Sequence, residues 1–244
     1  MTESTAPAAA TTAKTSFWED VIDIFISPAA VFRRREFSSF WAPLAFIAVA
    51  IAIITFATFN TLEPAFDAEF ARGAGKAMAK NPQVTPEMME KMRGYTNAGA
   101  KYAIGVIMMI LIFIVGVLTW LVGKLVGAKQ SFQTALVVGA WAEMPRVLGA
   151  VIGGVQGLLM DPAKLTGQLS ISLSPARFMD PDTANPLVMQ IAGRFDLITL
   201  WVTVLLGIGL YVTGRVSKGR AVGFAILMWV IGTLPVIQNA LRMM

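Results

Sequence analysis

The sequence predicts an all-α integral membrane protein: a helical bundle of five transmembrane helices with short interfacial helices ahead of the first. Three observations predict it. Apolar residues make up 56% of the 244-residue chain and charged residues only 14%, against roughly 25% in a soluble domain, so much of the folded surface must be covered by lipid. Five apolar stretches are about as long as the 20 residues needed to cross a hydrocarbon core of roughly 30 Å. The basic residues gather beside those stretches rather than spreading evenly, as the positive-inside pattern requires.

Composition also removes whole classes of chemistry. The chain has no cysteine and no histidine, which excludes disulfide frameworks, thiolate zinc sites, cysteine nucleophiles and imidazole bases. No GxSxG or HExxH motif and no paired acidic motif lies in the spans, so no enzyme activity, cofactor or metal is expected. The formal charge of +5 is the kind that membrane proteins place at lipid headgroups, and no nucleic-acid partner follows from it.

Residues 1–16 form a polar Ala/Thr tract without the apolar core of a secretory signal, and a disordered, uncleaved tail is expected there. Residues 17–40 are expected to form amphipathic helices. Ser16 and Glu19 have capping-box spacing, and Ser27-Pro28 marks a second helix start that runs into Arg33, Arg34 and Arg35. Such a basic cluster reads equally as an interfacial helix among anionic headgroups or as a helix docked on the bundle. The spans follow at about 41–60, 102–123, 132–159, 197–214 and 221–240. Between the first two, Thr85-Pro86 opens a further helix, with Met88, Met89 and Met92 on one side. The segment 160–194 carries four Xaa-Pro turn formers and is expected to be mostly irregular.

Basic residues at Arg33–Arg35, at Lys124 and Lys129, and at Arg215, Lys218 and Arg220 fall on one side if all five spans cross. That places the N-terminus in the cytoplasm and the C-terminus outside. An alternative geometry makes 132–159 a re-entrant hairpin broken at Pro145.

That third segment holds the candidate polar centre. Glu143 and Arg146 lie three residues apart near its middle, where a charge costs about 2.5 to 3.5 kcal/mol and needs a partner, and Pro145 between them breaks the backbone ladder. Gly149, Gly153 and Gly157 recur every fourth residue as a candidate helix-packing stripe. Asp196 stands at the mouth of span four as a candidate cap, and Trp201, one turn further on, as a candidate interfacial anchor.

Ser27, Pro28 and Val31-Phe32 ahead of basic residues, the run from Ser131-Phe132 through Trp141 to Pro145, and the stretch Asp196 to Gly209 together resemble the Yip-domain family, the Ypt/Rab-interacting membrane proteins, in its bacterial branch. The resemblance implies a five-span fold with a cytoplasmic N-terminus, placed by its bacterial branch in a bacterial inner membrane, and carries no catalytic motif. Eukaryotic members of that family assist vesicle traffic by contacting small GTPases. This chain lacks a long N-terminal domain, so no such partner is expected. The expected role is a non-enzymatic scaffold or adaptor in the bilayer, with membrane-protein partners or a second copy of itself. The alternative is a small transporter or channel element centred on Glu143 and Arg146.

Overall fold

The structure is a computed structural model that describes residues 16–243; the tail expected over residues 1–16 therefore lies, but for Ser16, outside the described residues. Every regular element among them is helical. Helix α1 (Phe17–Ile26) opens on the capping box: the Ser16 N–H donates to Glu19 at 2.8 Å and the Ser16 hydroxyl caps the first turn. Helix α2 (Pro28–Arg35) starts on Pro28, whose missing N–H costs nothing there.

These two helices form a docked hairpin. Ile24, Val31 and Phe32 are completely buried in the main core, and Asp20 on the facing side of α1 is buried too, accepting from Arg34 and from Arg35, the latter at 2.5 Å. Arg34 also reaches Asp23 at 2.6 Å. Of the basic cluster only Arg33 has no ion-pair partner among the described residues, so two of its three guanidinium groups are spent within the hairpin. The four side chains Asp20, Asp23, Arg34 and Arg35 pair with each other because one of the carboxylates is shut away from water and needs its partners.

Helix α3 (Trp41–Lys80) is twice as long as the expected span. Its 40 residues reach about 60 Å, so the apolar first half crosses and the second half projects beyond the bilayer. The expectation that the helix ends near Asn60 is corrected. Hydropathy falls there, yet six alanines between Ala65 and Ala79 keep helix propensity high, and Pro64 removes one backbone bond without ending the helix. Helix α4 (Pro86–Ala98) starts at the Thr85 cap as expected and folds back on this projection. A π-helical turn (Gly99–Ala103) joins it to the second crossing, α5 (Ile104–Leu125).

The α3–α4 projection is pinned by Arg93, which donates to Asp67 at 2.8 and 2.5 Å, with the Asn97 amide adding a bond at 3.3 Å. The guanidinium holds the Asp67 carboxyl below the usual carboxylate range. A depressed pKa contributes stability above the unfolded value of about 4 and loses it as pH falls through the folded value. The separation of α3 and α4, read by spin labels on Ala71 and Lys91, is therefore expected to broaden between pH 5 and pH 3. In Asp67→Asn that dependence should vanish; a profile unchanged by the substitution would assign the pH response to other groups.

The third crossing is the most buried part of the molecule: every residue from Thr134 to Pro145 is inaccessible. It was expected as one kinked helix over 132–159 and is instead two, α6 (Phe132–Ala142) and α7 (Pro145–Leu159). Through the break the backbone bonds shorten to three-residue closures, Glu143 to Ala140, Met144 to Trp141, Arg146 to Glu143 and Val147 to Met144, at 3.0 to 3.3 Å. Pro145 has no N–H to give, and its ring excludes the carbonyl four residues back.

Beyond α7 come three short 3₁₀ turns (Pro162–Lys164, Gln168–Ile171, Pro175–Phe178), then α8 (Pro186–Arg194), α9 (Leu197–Thr213) and α10 (Lys218–Met243). Helix α8 corrects the expectation of an irregular 160–194. Asn185-Pro186 reads as a turn former, but here it is a cap followed by the first helical residue, Asn185 accepting from the Leu187 and Val188 N–H groups. Helices α8 and α9 meet at a 51° bend, and counting that pair as one broken span gives five segments long and apolar enough to cross.

The turns sort into two ends. The Lys129 N–H donates to the Gly214 carbonyl at 3.0 Å, which ties the α5–α6 turn to the α9–α10 turn, and Gln133 donates to the Ser38 carbonyl at 3.3 Å, which brings the end of the N-terminal hairpin beside them. All three basic clusters thus share one end. At the far end of α7, Gly157 lies against Thr61 and Leu62 of α3. The segment 132–159 therefore runs from one end of the bundle to the other without folding back on itself at Pro145. Trp141, Met144, Ile112, Leu205, Leu210 and Phe224 are buried around it. In lipid such packing, rather than exclusion from water, holds helices together.

Candidate functional site at two helix breaks

Both interrupted crossings place charges at their breaks. Glu143 sits in the α6–α7 joint with 2% of its surface exposed and is held by Arg146 from the first turn of α7, which donates to both carboxylate oxygens. The break brings the pair together, with Glu143 at the C-cap of one helix and Arg146 in the N-terminal turn of the next; the helix dipoles oppose both charges there, so each depends on the other for its satisfaction. Pro145, between them, contributes geometry and no polar group.

Asp196 occupies the other joint. Its carboxylate caps α9 by accepting from the Ile198 and Thr199 N–H groups at 3.0 and 3.2 Å, and its second oxygen accepts from the Leu173 N–H at 2.7 Å. One side chain thus closes the helix start and ties down the loop before α8. Arg194, two residues earlier, turns to α10. It donates to Thr233 Oγ1 at 3.1 Å and to the Trp229 carbonyl at 3.4 Å, and its guanidinium lies 5.7 Å from the centre of the Trp229 ring. Trp229 Nε1 returns a bond to the Arg194 carbonyl at 3.2 Å.

These four charges act on one another: Arg146 with Glu143 and Asp196, Arg194 with Arg146, Asp196 and Glu143. Two positive and two negative groups leave the cluster neutral, which suits a low-dielectric interior. Arg194 was not picked out by sequence reasoning as a site residue. The available sign was an arginine at the end of an amphipathic helix, two residues ahead of an aspartate cap. Trp201 lies within α9, half-buried, and its indole N–H has no hydrogen-bond partner among the described residues, so it stands apart from this centre. Arg33, Arg34 and Arg35 belong to the N-terminal hairpin and are separate from it as well. Among the described residues no group of three or more carboxylates converges to hold a metal ion.

The glycines expected to form one stripe face different neighbours. A Cβ on Gly149 would meet Ile198 of α9 at 3.1 Å, one on Gly157 would strike Leu62 of α3, and one on Gly153 finds only Ile171, at 3.8 Å. The seam between α3 and α7 instead uses Gly157 with Gly154, whose Cβ would come within 2.7 Å of Thr58. Helical geometry explains the split: each four-residue step overshoots a full turn by about 40°, so glycines eight apart point roughly 80° away from each other.

Comparison with known proteins agrees with this architecture. A sequence profile of the Yip1 domain matches residues 22–237, from the N-terminal hairpin through both helix breaks and into α10. The chain is 26% identical over 196 residues to the membrane protein YknW of Bacillus subtilis (strain 168), a stretch covering 80% of this chain and 78% of that protein. No solved structure matches. With the profile spanning nine-tenths of the chain and every crossing of the bundle, this is a membrane protein belonging to the Yip1 domain family.

Proposed function

We propose that the protein is a non-enzymatic scaffold or adaptor of a bacterial cytoplasmic membrane, working through helix contacts with other membrane proteins or with a second copy of itself. The observation that carries this reading is the fate of the charges at the two helix breaks. Glu143 is taken by Arg146, Asp196 by three backbone N–H groups, and Arg194 by α10. A centre whose polar groups are committed to joining α7, α8, α9 and α10 serves to hold a shape. The lipid-facing side of α5, where Val106, Ile110 and Ile114 are exposed, offers that shape to a neighbouring helix.

The basic end of the bundle faces the cytoplasm in this proposal, which sets the N-terminus inside and the C-terminus outside. Reporter fusions after Lys129 and Lys218 should then report cytoplasmic locations, and one after Thr183 an external one. A photo-crosslinking residue at Ile110 is expected to yield discrete adducts in cells and co-purification in mild detergent. A reproducibly solitary monomer would overturn the scaffold reading, and solute flux into liposomes that disappears in Glu143→Gln would replace it with a transport role.

A further inference from the structure

A groove of about 620 Å³ runs along the outer face of α9 and α10. Its floor is made of small residues: a Cβ on Gly207 would lie 3.1 Å from that of Ala225, with the Ala221 carbonyl beside it. Larger apolar side chains, among them Val204, Tyr211 and Val222, form the walls. Lys218 lies at one end, Trp229 and Phe195 close the other, and the lining between them is almost wholly apolar. From Lys218 to Trp229 is eleven residues of helix, or about 16 Å. That is close to half of the roughly 30 Å hydrocarbon thickness, the depth of a single leaflet. The groove therefore begins where headgroups lie and ends near the bilayer midplane.

At its mouth the charge is one-sided. Lys218 lines the groove and is exposed; Arg215 and Arg220 are exposed beside it in sequence, Arg220 with its guanidinium next to Gly127 of the α5–α6 turn. No carboxylate pairs with any of the three among the described residues. Other basic groups of this molecule, Arg34, Arg35, Arg93 and Arg146 among them, do have carboxylate partners. Three unpaired cations above an apolar slot one leaflet deep are complementary to an anionic headgroup carrying an acyl chain.

We propose that this groove is a binding site for an anionic phospholipid, with its phosphate at Lys218 in the field of the neighbouring Arg215 and Arg220 and one acyl chain lying over Gly207 and Ala225 as far as Trp229. The site would make the lipid part of the protein's lateral surface, so that any neighbour docking on α9 and α10 meets a bound chain.

The test is native mass spectrometry of the full chain released from bilayers of equal parts phosphatidylglycerol and phosphatidylcholine. The expected result is retention of phosphatidylglycerol over phosphatidylcholine by about tenfold or more, since each cation near a headgroup is worth roughly a fivefold preference. The triple variant Arg215→Gln, Lys218→Gln, Arg220→Gln should lose most of that preference. Ala225→Phe fills the floor and should release the lipid; Val222→Trp covers the slot from an exposed position where a large side chain does not disturb folding. Equal retention of the two lipids would overturn the proposal. So would undiminished phosphatidylglycerol in Val222→Trp, or cysteines at Val222 and Ile226 linking two copies in the bilayer, which would make a second copy the occupant.

Discussion

Glu143→Ala is expected to reduce the yield of folded, monodisperse protein more than any other single charge removal. The carboxylate is buried at the α6–α7 joint, and it balances Arg146 directly. Without it, Arg146 is left with the more distant Asp196 and with repulsion from Arg194. Breaking a buried pair from one side typically costs about 3–5 kcal/mol, because the surviving charge keeps its desolvation penalty and loses its partner. Arg146 is partly accessible, and a long guanidinium side chain near a lipid face can move toward water, so the lower end of that range is the better expectation. Removing both partners in Glu143→Ala with Arg146→Ala takes away the stranded charge, and most of the yield should return. The measurement is size-exclusion chromatography of a fluorescent fusion in mild detergent, with the four members of the cycle side by side. A double variant worse than Glu143→Ala would mean that the two side chains contribute independently and that the joint is held by something else. Glu143→Gln should fall between, since an amide oxygen still accepts from Arg146 while the charge balance is lost.

The pair itself was legible from spacing, because two opposite charges three residues apart in an apolar run have few other ways to be satisfied. Arg194 was not, because its partners lie on α10, some 35 to 39 residues away, and nothing local announces that Trp229 and Thr233 will come to meet it. The same distinction runs through the fold. Caps are local, and Ser16, Thr85 and Asp196 all begin helices where their side chains suggested. Helix ends that coincide with a fall in hydropathy are not local in that sense. Hydropathy reports where lipid stops, whereas α3 continues for another twenty residues because α4 folds back along it and Arg93 finds Asp67. The Arg33 to Arg35 cluster reads equally as interfacial or as docked, and only the structure shows its ion pairs. Its basic character is plain in the sequence, but its use within the N-terminal hairpin depends on α1 turning Asp20 inward.

Gly139→Val is expected to prevent α5 and α6 from closing, and it separates contact glycines from merely periodic ones. A Cβ at Gly139 would fall 2.7 Å from the Cα of Gly116 and 2.8 Å from its backbone nitrogen; in return, a Cβ at Gly116 would lie 3.0 Å from the Cα of Leu136. Both obstacles are main chain, so no rotamer change relieves them. Overfilling a packed interior costs about 1–3 kcal/mol when side chains can adjust. Here the two helices must move apart instead, and because α6 is buried from Thr134 to its end, that displacement passes to α9 and the core around Trp141. Gly139→Ala should already lower the thermal midpoint in detergent, and Gly139→Val should abolish a folded monomer. Gly153→Ala is the opposing case. Its Cβ meets only Ile171 at 3.8 Å, an ordinary contact, and alanine is favoured over glycine within a helix by about 1 kcal/mol, so the variant should be as stable as the parent or slightly more so. The four-residue spacing of Gly149, Gly153 and Gly157 would rank these sites the other way round. If Gly153→Ala proved as damaging as Gly139→Ala, the close approach of α5 and α6 would not be what sets the stability of the bundle.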